Sequence, residues 1–142
     1  MDFTFNEEQT MIQDQVEQFI QKEYDWETRQ ELSNSDLGFG AHNWKTFSEL
    51  GWLGIAVSEK NGGYGGSSIE TMLIMEEFGK GLVVEPFLET VVMSAGILDR
   101  HGTDEQKNQV LNSVINGEIH LALAYAEPQS RFNLSDVVTE AK

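Results

Sequence analysis

The sequence predicts an all-α fold, a bundle of about five to six helices over residues 1–117. Residues 118–142 then supply the first strand or strands of a β-barrel domain that the chain cuts short. Three observations predict this. Apolar residues recur at helical spacing through the first three quarters of the chain. Capping pairs of the type Asn/Ser/Thr-x-x-Glu/Gln open three of the segments. After Glu118 the pattern changes to an apolar run of strand length that stops at Pro128.

The elements follow in order. Asn6 with Gln9 forms a capping box, after which Met11, Ile12, Val16, Phe19 and Ile20 make one apolar stripe. Tyr24 and Trp26 extend that stripe or begin a second short helix through Leu32. SNSDLGFG at 33–40 is a loop by composition. Trp44, Phe47 and Leu50 lie three apart on a short helix that Gly51 closes. NGGYGGSS at 61–68 is followed by a helix running to about Gly79, capped by Ser67 with Glu70. Ile69, Met72, Leu73, Ile74, Met75 and Phe78 leave that helix little polar surface, so it is expected at the centre of the bundle, packed on several sides. A further helix covers roughly 87–100 with Leu88, Val91, Val92, Ala95 and Leu98 inward, and His101-Gly102 ends it. Thr103 with Gln106 caps the last helix, which carries Val110, Leu111, Val114 and Ile115 and stops at Gly117. IHLALAYAEP is the expected strand; alone it cannot satisfy its own ladder hydrogen bonds, so its pairing partner must lie elsewhere.

Composition narrows the function. With 24 acidic against 9 basic residues the formal charge is −15, which repels phosphate backbones and anionic lipid. Nucleic-acid binding and membrane attachment are therefore not expected, and no apolar run approaches the ~20 residues a spanning helix needs. Cysteine is absent, which removes disulfides, thiolate catalysis and cysteine-based metal sites. The start MDFTFNEEQT lacks the basic region and apolar core of a signal peptide, so a cytoplasmic location is expected. An anionic ligand would have to meet local cations or backbone donors.

No nucleophile, base and orienting group assemble from the sequence, so no catalytic residue is assigned. His42, His101 and His120 are scattered without metal-ligand spacing. Glu76-Glu77 in an apolar helix admits a hidden carboxylate with a raised pKa, but one solvated carboxylate beside one ion-paired or capping carboxylate is the preferred reading. Met72 and Met75 read as core rather than as a substrate channel. The glycine loop reads as a tight turn with positive dihedrals in preference to a phosphate cradle. It has no P-loop lysine, and no strand leads into a G-x-G-x-x-G pattern.

The order of the motifs is more specific than any one of them. FSELGWLGIAVSEKNGGYGGSSIETMLIMEEFGKG (47–81) and HGTDEQKNQVLNSVINGEIHLALAYAEP (101–128) resemble two passages of the acyl-CoA dehydrogenase family, in the family's order and separation. GLVVEPFLETVV and AYAEPQSRFNLSDV are most similar to the pimeloyl-CoA dehydrogenase small-subunit group. The resemblance implies three parts: a helical domain, a β-barrel and a carboxy-terminal four-helix bundle. FAD would lie between the last two, and the acyl chain between helices of the first and last. It also implies α,β-dehydrogenation of an acyl-CoA to an enoyl-CoA, electron transfer to an electron-transferring flavoprotein, homo- or hetero-oligomers, and a carboxylate base from the last domain.

Carried over residue by residue, the resemblance places the flavin ring against Tyr125, Ala126 and Glu127, with Pro128 completing a T-E-P-like motif. Ala126 stands where the family has a hydroxyl-bearing threonine, so only backbone donors could serve there. Ser135 matches the serine that approaches the CoA arm, after the longer link QSRFNL, and Arg131 is a nearby cation for ligand phosphate. The chain is accordingly expected to be an inactive piece that does not retain FAD, with an open reading frame of about 200 further residues after Lys142. The alternative from another class is a stand-alone helical binding or assembly module without redox activity, for which an immediate stop codon is expected.

Overall fold

The computed structural model describes residues 4–140. Among the described residues six α-helices form: α1 (Glu7–Glu23), α2 (Trp26–Ser33), α3 (Ala41–Glu49), α4 (Ser68–Gly81), α5 (Gly96–His101) and α6 (Asp104–Ile115). All three expected capping boxes are present, at Asn6, Ser67 and Thr103. Each satisfies two backbone groups that a helix start would otherwise leave open. The fold class is the predicted one.

α1 and α4 lie side by side and run in the same direction. Gln9 donates to Glu70 Oε1 (2.8 Å), Gln13 donates to Glu77 Oε1 (3.1 Å), and Ile20 lies against Gly81. A Cβ on Gly81 would come within 2.7 Å of Ile20 Cγ2, so the glycine permits this close approach. Parallel neighbours need a long connection, and α2, α3 and two 3₁₀ turns (Trp52–Gly54 and Glu59–Asn61) provide it.

Phe47 is the hub of the core. It stacks on Phe78 at 4.9 Å, meets Phe19 edge-on at 5.3 Å, and contacts Trp52 at 5.2 Å and Trp44 at 6.2 Å. Residues of α1, α3, the first 3₁₀ turn and α4 thereby share one aromatic cluster with Phe87 at its far side. A smaller core of Val57, Ala95, Leu111 and Val114 seats α6.

Several details depart from the periodicity. Met11 and Leu50, counted in apolar stripes, are exposed; Leu50 sits at the C-cap, where left-handed Gly51 (φ 80°) turns the chain away. α4 reaches Gly81 rather than Gly79. It is also not enclosed on several sides: Leu73, Ile74, Glu77 and Phe78 are buried, while Ile69 and Met72 are 41% and 47% exposed. Met72 is therefore not core. The expected helix over 87–100 begins as a π-helix, Leu88–Ala95, before continuing as α5. The i→i+5 widening brings Thr90, Val91 and Ala95 onto one buried face.

The segment after α6 forms no ladder, and no strand occurs among the described residues. Burial still alternates residue by residue from Ile119 to Leu123, as in a strand with one covered face. Its tie to the helices is a side chain: Thr90 Oγ1 donates to the Leu121 carbonyl (3.1 Å) and accepts from the Leu121 amide (3.2 Å).

The glycine loop is a turn, as expected, with Gly62 (φ 87°) and Gly65 (φ 65°) left-handed. Gly63 is demanded by space instead, since a Cβ there would collide with the Val57 carbonyl oxygen and its carbon. Gly63→Ala is expected to lower stability by about 1–3 kcal/mol, an overpacking cost with backbone as the obstacle. Urea denaturation of the purified chain checks this; an unchanged midpoint would refute the reading of that contact.

Candidate functional site

A cleft lies where α2, α4 and the π-helix meet. Leu82 caps α4 in the left-handed region (φ 52°), an uncommon place for a leucine. It is held there by Arg29 of α2, whose Nε donates to the Leu82 carbonyl at 2.9 Å. The chain then runs through Val83 and Val84 to Glu85-Pro86 and enters the π-helix. The cleft has a volume of about 400 Å³ and is lined chiefly by Met75, Phe78, Leu82, Val83, Val84 and Leu88. Gly79 also opens onto it, and a Cβ on Gly79 would meet nothing within 4 Å.

One buried carboxylate fixes this connection. Glu85 is 6% exposed. It accepts from Tyr24 Oη (2.8 Å), Asn43 Nδ2 (2.8 Å) and the Gly40 amide (3.2 Å). The same Tyr24 hydroxyl accepts from the Val84 amide at 2.8 Å. Burial, and then the neighbouring Glu85, hold the Tyr24 hydroxyl above the ordinary phenol range. Gly40 is required by this packing, for a Cβ there would lie 3.0 Å from Glu85 Oε1 and 2.9 Å from Asn43 Nδ2. Neither Tyr24, Gly40 nor Glu85 carries a site signal in the sequence. The available clue was one carboxylate inside the apolar run LVVEPFL, which has to find donors once buried.

The other candidates resolve by geometry. Glu77 is buried, and burial alone would raise its pKa. Lys80 Nζ at 2.7 Å and Gln13 nevertheless hold it below the usual carboxylate range, while Glu76 pairs with Lys80 from the surface. The raised-pKa reading of this pair is thus overturned. Glu70 behaves similarly: despite the effect of partial burial, hydrogen bonds from Ser67 and Gln9 hold it at about 2. The glycine loop borders a groove of about 710 Å³ that carries Glu8, Glu49, Glu59 and Glu70 and, among the described residues, no lysine or arginine. Such walls repel phosphate, which removes the cradle reading. The described residues hold no cluster suited to a metal ion and no helix long and apolar enough to cross a membrane.

Tyr125, Ala126, Glu127 and Ser135 do not converge on one cradle. Tyr125, Ala126 and Ser135 are exposed. The Glu127 amide donates to Ser130 Oγ and the Ser135 amide to Asn133 Oδ1. The Glu127 carboxylate accepts from the amides of Val138 (2.8 Å) and Thr139 (3.1 Å) and from Gln129 Nε2, closing the tail into a loop. Arg131 lies at a left-handed turn in that loop (φ 49°). One exposed ring and the amide of Ala126 remain available, which does not fit a flavin on these residues alone.

The sequence profile described as acyl-CoA dehydrogenase, N-terminal domain, matches residues 6–118. The chain belongs to the acyl-CoA dehydrogenase family. Its relatives include the acryloyl-CoA reductase (NADH) of Anaerotignum propionicum, 29% identical over 99% of this chain and 36% of that protein. A probable acyl-CoA dehydrogenase of Bacillus subtilis is 30% identical over 99% of this chain and 37% of its own length. Among solved structures, the ChsE4–ChsE5 complex of Mycobacterium tuberculosis superposes with a TM-score of 0.79 at 29% identity, covering 86% of this chain and 34% of that one. Butyryl-CoA dehydrogenase of Megasphaera elsdenii shares the fold (TM-score 0.79, 24% identity, 95% of this chain and 36% of that one). The chain thus spans little more than a third of the relatives it matches. The family is one of flavoprotein oxidoreductases.

Two outcomes follow from these contacts. Tyr24→Phe removes a hydroxyl that serves a buried carboxylate and a backbone amide, so stability is expected to fall by about 1–3 kcal/mol; a denaturation midpoint equal to wild type would refute the bridge. The backbone amides of Val138 and Thr139, with Gln129, hold Glu127 down at about 2, against an ordinary value near 4.5. A depressed folded pKa makes the loop's stabilisation complete above the ordinary value and progressively lost as pH falls toward 2. Amide proton shifts of Val138 and Thr139 should therefore stay constant from pH 7 to about 4 and move as pH approaches 2; a transition centred near the ordinary 4.5 would count against the closure.

Proposed function

We propose that this chain is the helical wall of the acyl site in an FAD-dependent acyl-CoA dehydrogenase, acting in α,β-dehydrogenation of an acyl-CoA thioester to an enoyl-CoA. The observation that carries this reading is the cleft between α4 and the π-helix, with its row of aliphatic and aromatic side chains, in a chain of that family. Its volume of about 400 Å³ and the side chains of Met75, Phe78, Leu82, Val83, Val84 and Leu88 suit an alkyl chain, which is held by non-directional burial. The Glu85 knot keeps those walls in place before any ligand arrives, so less ordering is lost on binding.

No catalytic residue is assigned within the chain, and no step is routed through its own side chains. Tyr125, Ala126, Glu127 and Ser135 are assigned to the flavin-facing side of the assembled protein, without a role in the chemistry. By itself the chain is inactive and does not retain FAD. Residues 1–117 act as the helical domain and 118–142 as the entry to a β-domain. Exposed Ile69, Met72, Leu88 and Tyr125 supply the contacts of a homo- or hetero-oligomer or of neighbouring domains. The electron partner is an electron-transferring flavoprotein, and the location is cytoplasmic.

Gly79→Leu tests the reading. The new side chain enters open cleft rather than protein, and leucine favours a helix over glycine by close to 1 kcal/mol. In the whole natural protein that contains this chain, the variant should keep or gain thermal stability. It should lose about tenfold or more in kcat/KM for long acyl-CoA thioesters relative to butyryl-CoA. Equal loss on all chain lengths would move the acyl site elsewhere. Stoichiometric flavin absorbance in the isolated 142-residue chain would overturn the assignment of FAD binding to the assembly.

A further inference from the structure

Thr90 is fully buried in the π-helix, yet its hydroxyl does not turn back onto the preceding turn, where a helical threonine ordinarily finds a carbonyl. It crosses to Leu121 instead, donating to the carbonyl (3.1 Å) and accepting from the amide (3.2 Å). One side chain thus fills both positions of a ladder rung. The Leu121 side chain in turn packs against the small core to which Ala95, the last residue of the π-helix, belongs. Leu121 therefore serves both ends of that helix.

The π form needs an outside cause. Helices of i→i+5 spacing are rare and mostly limited to a single turn, whereas this one runs for eight residues. It begins on ordinary spacing, with the Thr90 amide donating to the Pro86 carbonyl (3.1 Å). It then widens: the Glu89 carbonyl accepts from Ser94 Oγ (2.7 Å), and the Val91 carbonyl from the Gly96 amide. At α-helical spacing, roughly 100° per residue, Thr90 and Ala95 would lie about 140° apart around the axis. The i→i+5 spacing brings them onto one face, and both are fully buried there. An α-helix could keep Ala95 in the core only by turning the Thr90 hydroxyl away from Leu121.

This choice reaches the cleft. Leu88 and Glu89, immediately before Thr90, form its wall on this side. A change of spacing would rotate both about the helix axis relative to Val91 and Ala95, which stay buried.

We infer that Thr90 is a positioning residue for the acyl site: by pairing with Leu121 it keeps residues 88–95 in the π form, and that form sets which acyl chain lengths the cleft accepts. This rests on the acyl-site reading above. It makes the segment 119–123 a control element, since whatever holds Leu121 also holds the cleft wall.

The test uses the whole natural protein or complex that contains this chain. Amide exchange at Leu121, equilibrium binding, and kcat/KM for butyryl-CoA and octanoyl-CoA are measured. Thr90→Val keeps the shape and removes the hydroxyl. It should speed exchange at Leu121 by about tenfold or more and change the octanoyl-to-butyryl ratio of kcat/KM by about fivefold or more. Thr90→Ser restores the hydroxyl and should keep both quantities within about twofold of wild type. Ser94→Ala removes the other side-chain tie of the widened turn. It should move the ratio in the same direction, and it serves if Thr90→Val does not fold. Faster exchange at Leu121 with an unchanged ratio would leave Thr90 a structural contact and overturn the inference. Unchanged exchange, or equal changes in Thr90→Ser and Thr90→Val, would also overturn it while leaving the acyl site standing. Binding of neither thioester by wild type would overturn the acyl site itself, and this inference with it.

Discussion

The buried carboxylate of Glu85 is the constraint around which the functional part of this domain is organised. Three neutral donors from two separate stretches of chain converge on it: Tyr24 after α1, and Gly40 with Asn43 at the start of α3. Each would be unsatisfied and costly if the others were misplaced, so the α4–π connection has one position compatible with all of them. The cleft is a consequence of that position. Val83 and Val84 are turned toward it on one side of the knot, and Phe87 is turned into the aromatic core on the other.

The aromatic cluster around Phe47 and the Glu85 knot divide the work. The cluster supplies most of the non-directional burial that joins α1, α3 and α4. Burial of this kind tolerates sliding, whereas hydrogen bonds at 2.8 Å do not. The parallel α1–α4 pair shows the same division. Ile20 against Gly81 sets the spacing, and the Gln9–Glu70 and Gln13–Glu77 bonds set the register. Electrostatics then act locally. Despite the large net negative charge, the buried carboxylates are each provided with donors, and Arg29 is left with donors to spare.

Much of the domain could be read from local patterns, because the signals are themselves local. A capping box needs four residues, and a left-handed glycine needs one. Asn6–Gln9, Ser67–Glu70 and Thr103–Gln106 were legible for that reason, as were Gly51, Gly62 and Gly117. Burial was less legible. Met11, Leu50 and Met72 follow the apolar period yet face outward, since periodicity gives a face but not what covers it. The π-helix was not legible at all. An α-helical and a π-helical reading of LETVVMSA share the same apolar residues, and the choice involves Thr90 meeting Leu121, 31 positions along the chain.

The sequence by itself determined the helices, their ends, the turn at the glycine loop and, through the order of its motifs, membership of the acyl-CoA dehydrogenase family. These depend on side chains acting on their own few neighbours or on a pattern spread along the chain. Tertiary structure alone decided where polar groups meet across 42 to 64 residues: the partners of Glu85, the Gln13 amide that reaches buried Glu77, and the anchoring of Arg29 on the Leu82 carbonyl at the cleft. It also decided the path of the tail that carries Tyr125, Ala126, Glu127 and Ser135, where the Glu127 carboxylate closes on the amides of Val138 and Thr139. The physical reason is the same in each case. A hydrogen bond depends on distance and direction between groups far apart in sequence, and no local period encodes either.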